Sequence, residues 1–140
     1  MDYQLLELLR QRDLRYTTAR QVVFKLFKTE AAMTIQEIIV KTAGSLDKAS
    51  LYRTLNLYRD MGIIQDVVIG GKRKIELTDS YSAHHHHIAC SVCGRTVSIR
   101  DDAFEKQIES LALSHGFSHQ KHSFEITGMC SSCSDSTTRL

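Results

Sequence analysis

Residues 50–78, SLYRTLNLYRDMGIIQDVVIGGKRKIELT, change their hydrophobic period once, and that change sets the fold of the first half of the chain. Up to Gly62, Leu51, Leu55 and Tyr58 recur at helical spacing on one face and leave Tyr52, Arg53, Asn56 and Arg59 elsewhere. Gly62 ends the helix, because glycine accepts the left-handed backbone of a C-terminal cap. Beyond it, two β-branched runs flank Gly70 and Gly71, residues that tolerate the positive φ of a tight turn, so a β-hairpin follows the helix.

Upstream, the pattern is helical throughout. Leu5, Leu6, Leu8 and Leu9 mark a short first helix, and Val22, Val23, Leu26 and Phe27 mark the face of a second, with Thr18 as its expected cap. The string TIQE from Thr34 to Glu37 is a capping box that opens a third helix, which should stop near Gly44. The fourth starts after Asp47. Three helices, a fourth and a hairpin form the order of a winged helix-turn-helix, in which the later helix of the pair enters the DNA major groove and the hairpin lies against the backbone. Tyr52 and Arg53, early in that helix and off its apolar face, are the candidate base and phosphate contacts.

Downstream, the chemistry sharpens. All seven histidines and all four cysteines lie after residue 83. Cys90 and Cys93, and Cys130 and Cys133, form two C-x-x-C pairs separated by 36 residues, and four thiolates so spaced match a closed, tetrahedral, structural zinc site. Between the pairs, TVSIR reads as a strand and DDAFEKQIESLALSHG as a helix. Asp102 with Glu105 supplies that helix's start, Phe104, Ile108, Leu111 and Ala112 its buried stripe, and Gly116 its end. HSFEITGMC returns as a strand, giving a small β-β-α-β unit whose leftover apolar surface suits a dimer.

Four consecutive histidines, His84 to His87, precede the first cysteine pair in mid-chain, where a purification tag would not sit. Side chains alternate along a strand, so His84 and His86 face one way and His85 and His87 the other. Glu105 and His122 are the expected partners of His84 and His86 in one metal site. For His85 and His87 the nearby carboxylates are Asp66 and Glu76 on the hairpin and Asp79 after it, a set expected to bridge the two parts of the chain and to regulate it. His115 and His119 match no partner pair and read as surface residues.

Composition agrees with this division. Of 140 residues, the first 83 hold thirteen Lys or Arg against ten Asp or Glu, and the rest five against six; residues 10–28 alone hold six basic residues against Asp13. One part is suited to a polyanion and the other to metal. The expected domains are 1–78 for DNA binding, 79–83 as linker and 84–140 for dimerisation and metal. No apolar run long enough for a membrane span occurs, and the N-terminus lacks a signal peptide's apolar core, so a cytoplasmic protein is expected, its cysteines metal ligands rather than disulfides. No H-E-x-x-H and no nucleophile with a positioned base can be read, so an enzyme is not expected.

These residues resemble the ferric uptake regulator (Fur) family of metal-dependent bacterial repressors. LRYTTARQVVF is similar to its second-helix entry, SLYRTLNLYRDMGII to its recognition helix, and HHHHIACSVCG, HGF, H-x-x-E-I-x-G-x-C and the final C-x-x-C to its dimerisation domain. The resemblance covers residues 14–133. It implies an α+β protein, a winged helix followed by a small α/β dimerisation domain with a four-cysteine zinc site. It also implies a homodimer that grips a palindromic double-stranded operator once metal is bound. By resemblance Tyr52 touches bases, Arg53 phosphates or bases, Arg15 the minor groove and Arg20 the backbone, with Ser50 beside them. Two departures bear on the metal. The family's iron and peroxide sensors bring a histidine from before the third helix, where this chain has Ala31 and Ala32, and an acidic residue where it has Ser98. What remains suits four-coordinate zinc as regulatory ion, with Fe2+ or Mn2+ as the alternative, and resembles the zinc-responsive branch, although the linker cysteine usual there is replaced by Asp79. An iron- or peroxide-responsive regulator, or a zinc-binding adaptor or storage protein, is the other functional reading.

Overall fold

Each of the first four helices starts where a side chain accepts from an otherwise unpaired backbone amide. In the computed structural model, which describes residues 1–138, the Asp2 carboxylate accepts from Leu5 N–H at 3.1 Å to open α1 (Tyr3–Arg10). Thr17, not Thr18, caps α2 (Thr18–Thr29): its backbone is extended and its hydroxyl accepts from Arg20 N–H, which leaves Thr18 as the first helical residue. Both halves of the capping box form at α3 (Ile35–Thr42), Thr34 with the Glu37 amide and Glu37 with the Thr34 amide. Asp47 accepts from Ser50 N–H at 2.8 Å to open α4 (Lys48–Asp60).

Gly62, at φ 69°, then releases the chain into β1 (Ile64–Ile69) and β2 (Lys72–Leu77), antiparallel partners joined by Gly70 and Gly71 at φ 60° and 76°. Positive φ at both turn positions matches the twist of a two-residue hairpin. Met33 adds a short bridge to Ile75, with two backbone hydrogen bonds of 3.0 and 2.7 Å, and so pins the α2–α3 loop to the wing. Leu5, Leu9, Val23, Ile38, Leu55 and Tyr58 are wholly buried in the core of this unit, Met1–Ala83. The face expected on α2 is rotated: Val22 and Leu26 are only partly buried, and Phe24 goes inside, where it meets Tyr58 edge to face at 6.3 Å between ring centroids. A ring of that size covers more apolar surface than Val22 can.

The second unit, from His84 onward, is built on β3 (His86–Cys90). That strand is central in a three-stranded sheet, with β4 (Thr96–Ile99) antiparallel on one side and β5 (Glu125–Gly128) parallel on the other. α5 (Asp102–Ser114) is capped by Asp101, whose carboxylate accepts from Phe104 N–H, one residue earlier than expected. A short α6 (Ser131–Thr138) carries Cys133; its run of serine and threonine gave no helical signal. The buried stripe expected on α5 is corrected: no residue of that helix is fully buried; Phe104 packs on Phe124 at 4.8 Å between ring centroids and Ile108 and Ala112 are half buried, but Leu111 is 62% exposed. Among the described residues no helix is long and apolar enough to cross a membrane.

Candidate metal centres and nucleic-acid face

Cys90 ends β3, and the chain turns tightly behind it, with Gly94 N–H donating to Cys90 O and Gly94 at φ 77°, so Cys93 swings back toward Cys90. Pairing of Cys90 with Gly128 on β5 delivers Cys130, and α6 delivers Cys133. The four Sγ atoms lie within 4.8 Å of one another, with Cys93 and Cys130 at 3.8 Å. Zinc–sulfur bonds of ~2.3 Å in a tetrahedron place sulfurs about 3.8 Å apart, so the cluster fits zinc. The Cys130 amide, donating to Cys90 Sγ, and the amides of Cys93 and Val92 pull the Cys90 thiol down to about 6. Hydrogen bonding with Cys130 first, and then burial, push Cys133 up to about 12. Without a cation the Cys90 thiolate is favoured and Cys133 resists a second negative charge; a divalent ion removes that resistance.

The second cluster converges as strand alternation predicts. His84 Nε2 lies 3.2 Å and His86 Nε2 3.1 Å from His122 Nε2, and the Glu105 carboxylate sits 2.6 Å from both His86 and His122 and 3.7 Å from His84. Glu105 meets His86 through Oε1 and His122 and His84 through Oε2, and one ligand atom from each of the four residues lies within 4.8 Å of the others, a donor set that suits a divalent ion with ~2.0–2.1 Å bonds. His86 is buried and stacked on Phe124 at 3.9 Å between ring centroids, so its orientation is fixed by packing. Burial works against the Glu105 carboxylate, yet the hydrogen bond from His86 and the positive potential of His122, His86 and His84 hold its pKa below the usual range. With neutral imidazoles, the ionised carboxylate and the three ring nitrogens offer a cation four ligand atoms. His119, read from sequence as a surface residue, is half buried, with Nε2 2.8 Å from His122 Nδ1.

On the opposite face His85 and His87 also pair, their ring centroids 4.8 Å apart. The candidate carboxylates are less alike than the sequence implied. Glu76 pairs with Gln65 and Asp66 with Ile75, so Asp66 and Glu76 project from opposite faces of the hairpin and cannot serve one ion together. Asp66 is instead held by Arg59 through two hydrogen bonds, 2.9 and 3.2 Å, with Arg73 at 3.9 Å. Glu76 accepts from Gln65 Nε2 at 3.3 Å, and Asp79 sits in the turn after β2.

The candidate DNA contacts divide among three clefts of the first unit. Arg20, Ser50 and Arg53 line one of about 400 Å³ together with Thr17, where the N-terminal ends of α2 and α4 come together. Arg53 donates to Ser50 Oγ at 3.2 Å, and Arg20 to the Arg15 carbonyl. Two helix N-termini and two guanidinium groups make that cleft complementary to a phosphate. Tyr52, 44% exposed, lines another with Arg59, Asp66 and Arg73, and Arg15 lines a third with Leu6 and Arg10. Arg59 and Arg73 were not singled out by sequence, although Arg59 lies two helical turns from Tyr52 on the same face.

A model of the ferric uptake regulator family matches residues 11–127. The ferric uptake regulation protein of Campylobacter jejuni is 27% identical over 141 aligned positions, which cover 96% of this chain and 88% of that protein. Among solved structures, a zinc-bound manganese uptake regulator is 26% identical with a TM-score of 0.72, covering 90% of this chain and 98% of its own. The Vibrio cholerae ferric uptake regulator, whose DNA-binding domains are described as structurally rearranged, is 25% identical with a TM-score of 0.67, covering 89% and 98%. With the winged helix, the sheet unit and two ligand clusters already in place, the chain belongs to the ferric uptake regulator family of metal-responsive regulators.

Proposed function

We propose that this protein is a zinc-responsive, sequence-specific DNA-binding repressor of metal-homeostasis genes, acting in the cytoplasm as a homodimer on a palindromic operator. The observation that carries the DNA half is the cleft between the N-termini of α2 and α4, where Arg20, Ser50 and Arg53 converge beside an exposed Tyr52. Arg20 and Arg53 hold backbone phosphate, Tyr52 reads base edges, and Arg15 reaches the minor groove. Dimerisation is supported by the exposed Leu111 and Leu113 of α5 and by β5, an edge strand exposed along its length with Ile126 46% exposed. An apolar helix face beside an open strand edge suits a second copy of the same surface.

In this reading the ion of the four-cysteine cluster is structural and the His84, His86, Glu105 and His122 ion stabilises the dimerisation unit. The regulatory ion is held by His85 and His87 with a carboxylate from the wing side, Glu76 or Asp79. When bound, zinc supplies a cross-link whose strength differs between the conformations it joins, and that difference shifts the population toward the DNA-competent state. The paired histidines and few carboxylates favour zinc; iron or manganese is the second reading, favoured by the names of similar regulators.

Electrophoretic titration against genomic fragments, with and without chelator, tests the whole. His87→Ala is expected to keep fold and dimer while losing metal-stimulated binding. Unchanged metal dependence in His87→Ala, with loss in His122→Ala, moves sensing to the other face. On an operator so identified, Arg20→Ala should weaken all sequences and lower the salt slope by about one, whereas Tyr52→Ala should relax discrimination at particular positions. Identical behaviour of the two variants across operator sequences removes the recognition-helix assignment.

A further inference from the structure

His84 precedes a strand that carries His86, and Glu105 stands in the first turn of α5, so three ligands of the second cluster are directed by regular backbone or its immediate continuation. His122 is different. It lies in the irregular segment between α5 and β5, where neither a helix nor a sheet ladder fixes the direction of its ring. Its Nε2 nevertheless points at His84, His86 and Glu105, and the group behind it is His119, whose Nε2 lies 2.8 Å from His122 Nδ1. Both rings are half buried, with centroids 4.9 Å apart.

The direction of that hydrogen bond follows from chemistry. A ring nitrogen that ligates an ion offers a lone pair and carries no proton, so with Nε2 on the ion the neutral His122 ring keeps its proton on Nδ1. Nδ1–H then donates to His119 Nε2, and His119 keeps its own proton on Nδ1. We propose that His119 is a positioning residue for the second metal site: by accepting from His122 Nδ1–H it selects the tautomer with a bare Nε2 and holds the ring on the ion. The inference rests on reading the His84, His86, Glu105 and His122 cluster as a metal site. Outer partners of this kind change metal affinity by about 10–100-fold when removed, because the ligand must then be ordered by the metal alone.

The test uses the full chain with zinc in the four-cysteine site, in a His87→Ala background that removes the other histidine pair. Co2+ is titrated against a competing chelator, and the d–d absorption of the histidine site is followed separately from thiolate-to-cobalt charge transfer. His119→Leu, which keeps bulk but accepts nothing, should weaken Co2+ at the histidine site by about 10–100-fold. His119→Gln, whose side-chain oxygen can accept from the same N–H, should recover most of the loss. In the zinc-loaded parent, nitrogen-resolved NMR should find the His122 proton on Nδ1. Leucine binding as tightly as histidine, glutamine binding as weakly as leucine, or a His122 proton on Nε2 overturns the assignment. His122→Ala separates the two levels: if it too leaves Co2+ binding unchanged, the cluster is not a metal site and the parent reading fails. If it abolishes binding while His119→Leu does not, only the positioning role fails.

Discussion

Tyr58 sits wholly buried on α4 and donates its hydroxyl to the carbonyl of Arg20, 38 positions earlier, in the first turn of α2. Burial pushes the phenol well above its ordinary value, which keeps the donor proton in place at any physiological pH. One hydrogen bond thus connects the core to the backbone that presents Arg20. Tyr58→Phe keeps the ring against Phe24 and removes the second of that carbonyl's two donors, its helical partner remaining, so it should cost about 1 kcal/mol, measurable as a lower denaturation midpoint. Asp2 offers a pH readout at the same scale. Burial opposes its charge, but the Leu5 amide and the Lys28 ammonium at 3.2 Å outweigh that and set its pKa below 3.8. A depressed carboxyl stabilises the fold above its unfolded pKa and loses that contribution as pH falls through its lower folded value. Acid titration of the parent against Asp2→Asn should therefore show stabilities that converge as pH falls from neutrality to below the folded pKa.

At the scale of elements, the hairpin and α4 are joined by a charged cluster. Asp66 on β1 takes both a Nε and a terminal guanidinium nitrogen of Arg59 on α4, Arg59 also donates to Asn56, and Arg73 on β2 approaches the same carboxylate. A partly exposed pair of this kind contributes at most about 1 kcal/mol to stability. Its consequence is geometric, because Tyr52 lines the same cleft. Asp66→Asn is expected to leave the thermal midpoint nearly unchanged while relaxing discrimination among operator variants. Loss of metal response with intact discrimination would return Asp66 to the ligand set proposed from sequence.

For the molecule as a whole, the two units differ in what holds them. Met1–Ala83 has a buried apolar cluster of leucine, isoleucine, valine, phenylalanine and tyrosine. In the second unit α5 buries none of its residues, and β3 buries only His86, Ala89 and Cys90. A module with so little core needs metal or a partner surface, and structural zinc can contribute ~10 kcal/mol or more. Cys93→Ser, or removal of zinc by a strong chelator, should unfold the second unit while helical circular dichroism from the first persists; a cooperative, dimeric second unit in Cys93→Ser contradicts this. Ile126→Glu on the exposed edge strand should shift sedimentation from dimer to monomer without loss of zinc, since a charge there opposes burial against a second copy.

Much of this architecture was readable from local signals. Capping at Thr34 and Asp47, the period change at Gly62, the Gly70–Gly71 turn and the two C-x-x-C spacings are each decided within a few residues, so sequence alone determined the winged helix, the hairpin and the sulfur cluster. Alternation along an extended segment likewise sorted His84 and His86 from His85 and His87, and the observed ring pairs follow it. Tertiary structure alone decided what depends on residues distant in the chain. It rotated α2 so that Phe24 rather than Val22 meets Tyr58, and it left the apolar stripe of α5 without a fully buried residue. Hairpin register put Asp66 and Glu76 on opposite faces and gave Asp66 to Arg59. It also brought His119 behind His122, in a segment with no periodicity to read. Residue type and spacing limit which ligands are available, but a charge or a ring nitrogen takes its partner from whatever packing places within hydrogen-bond reach.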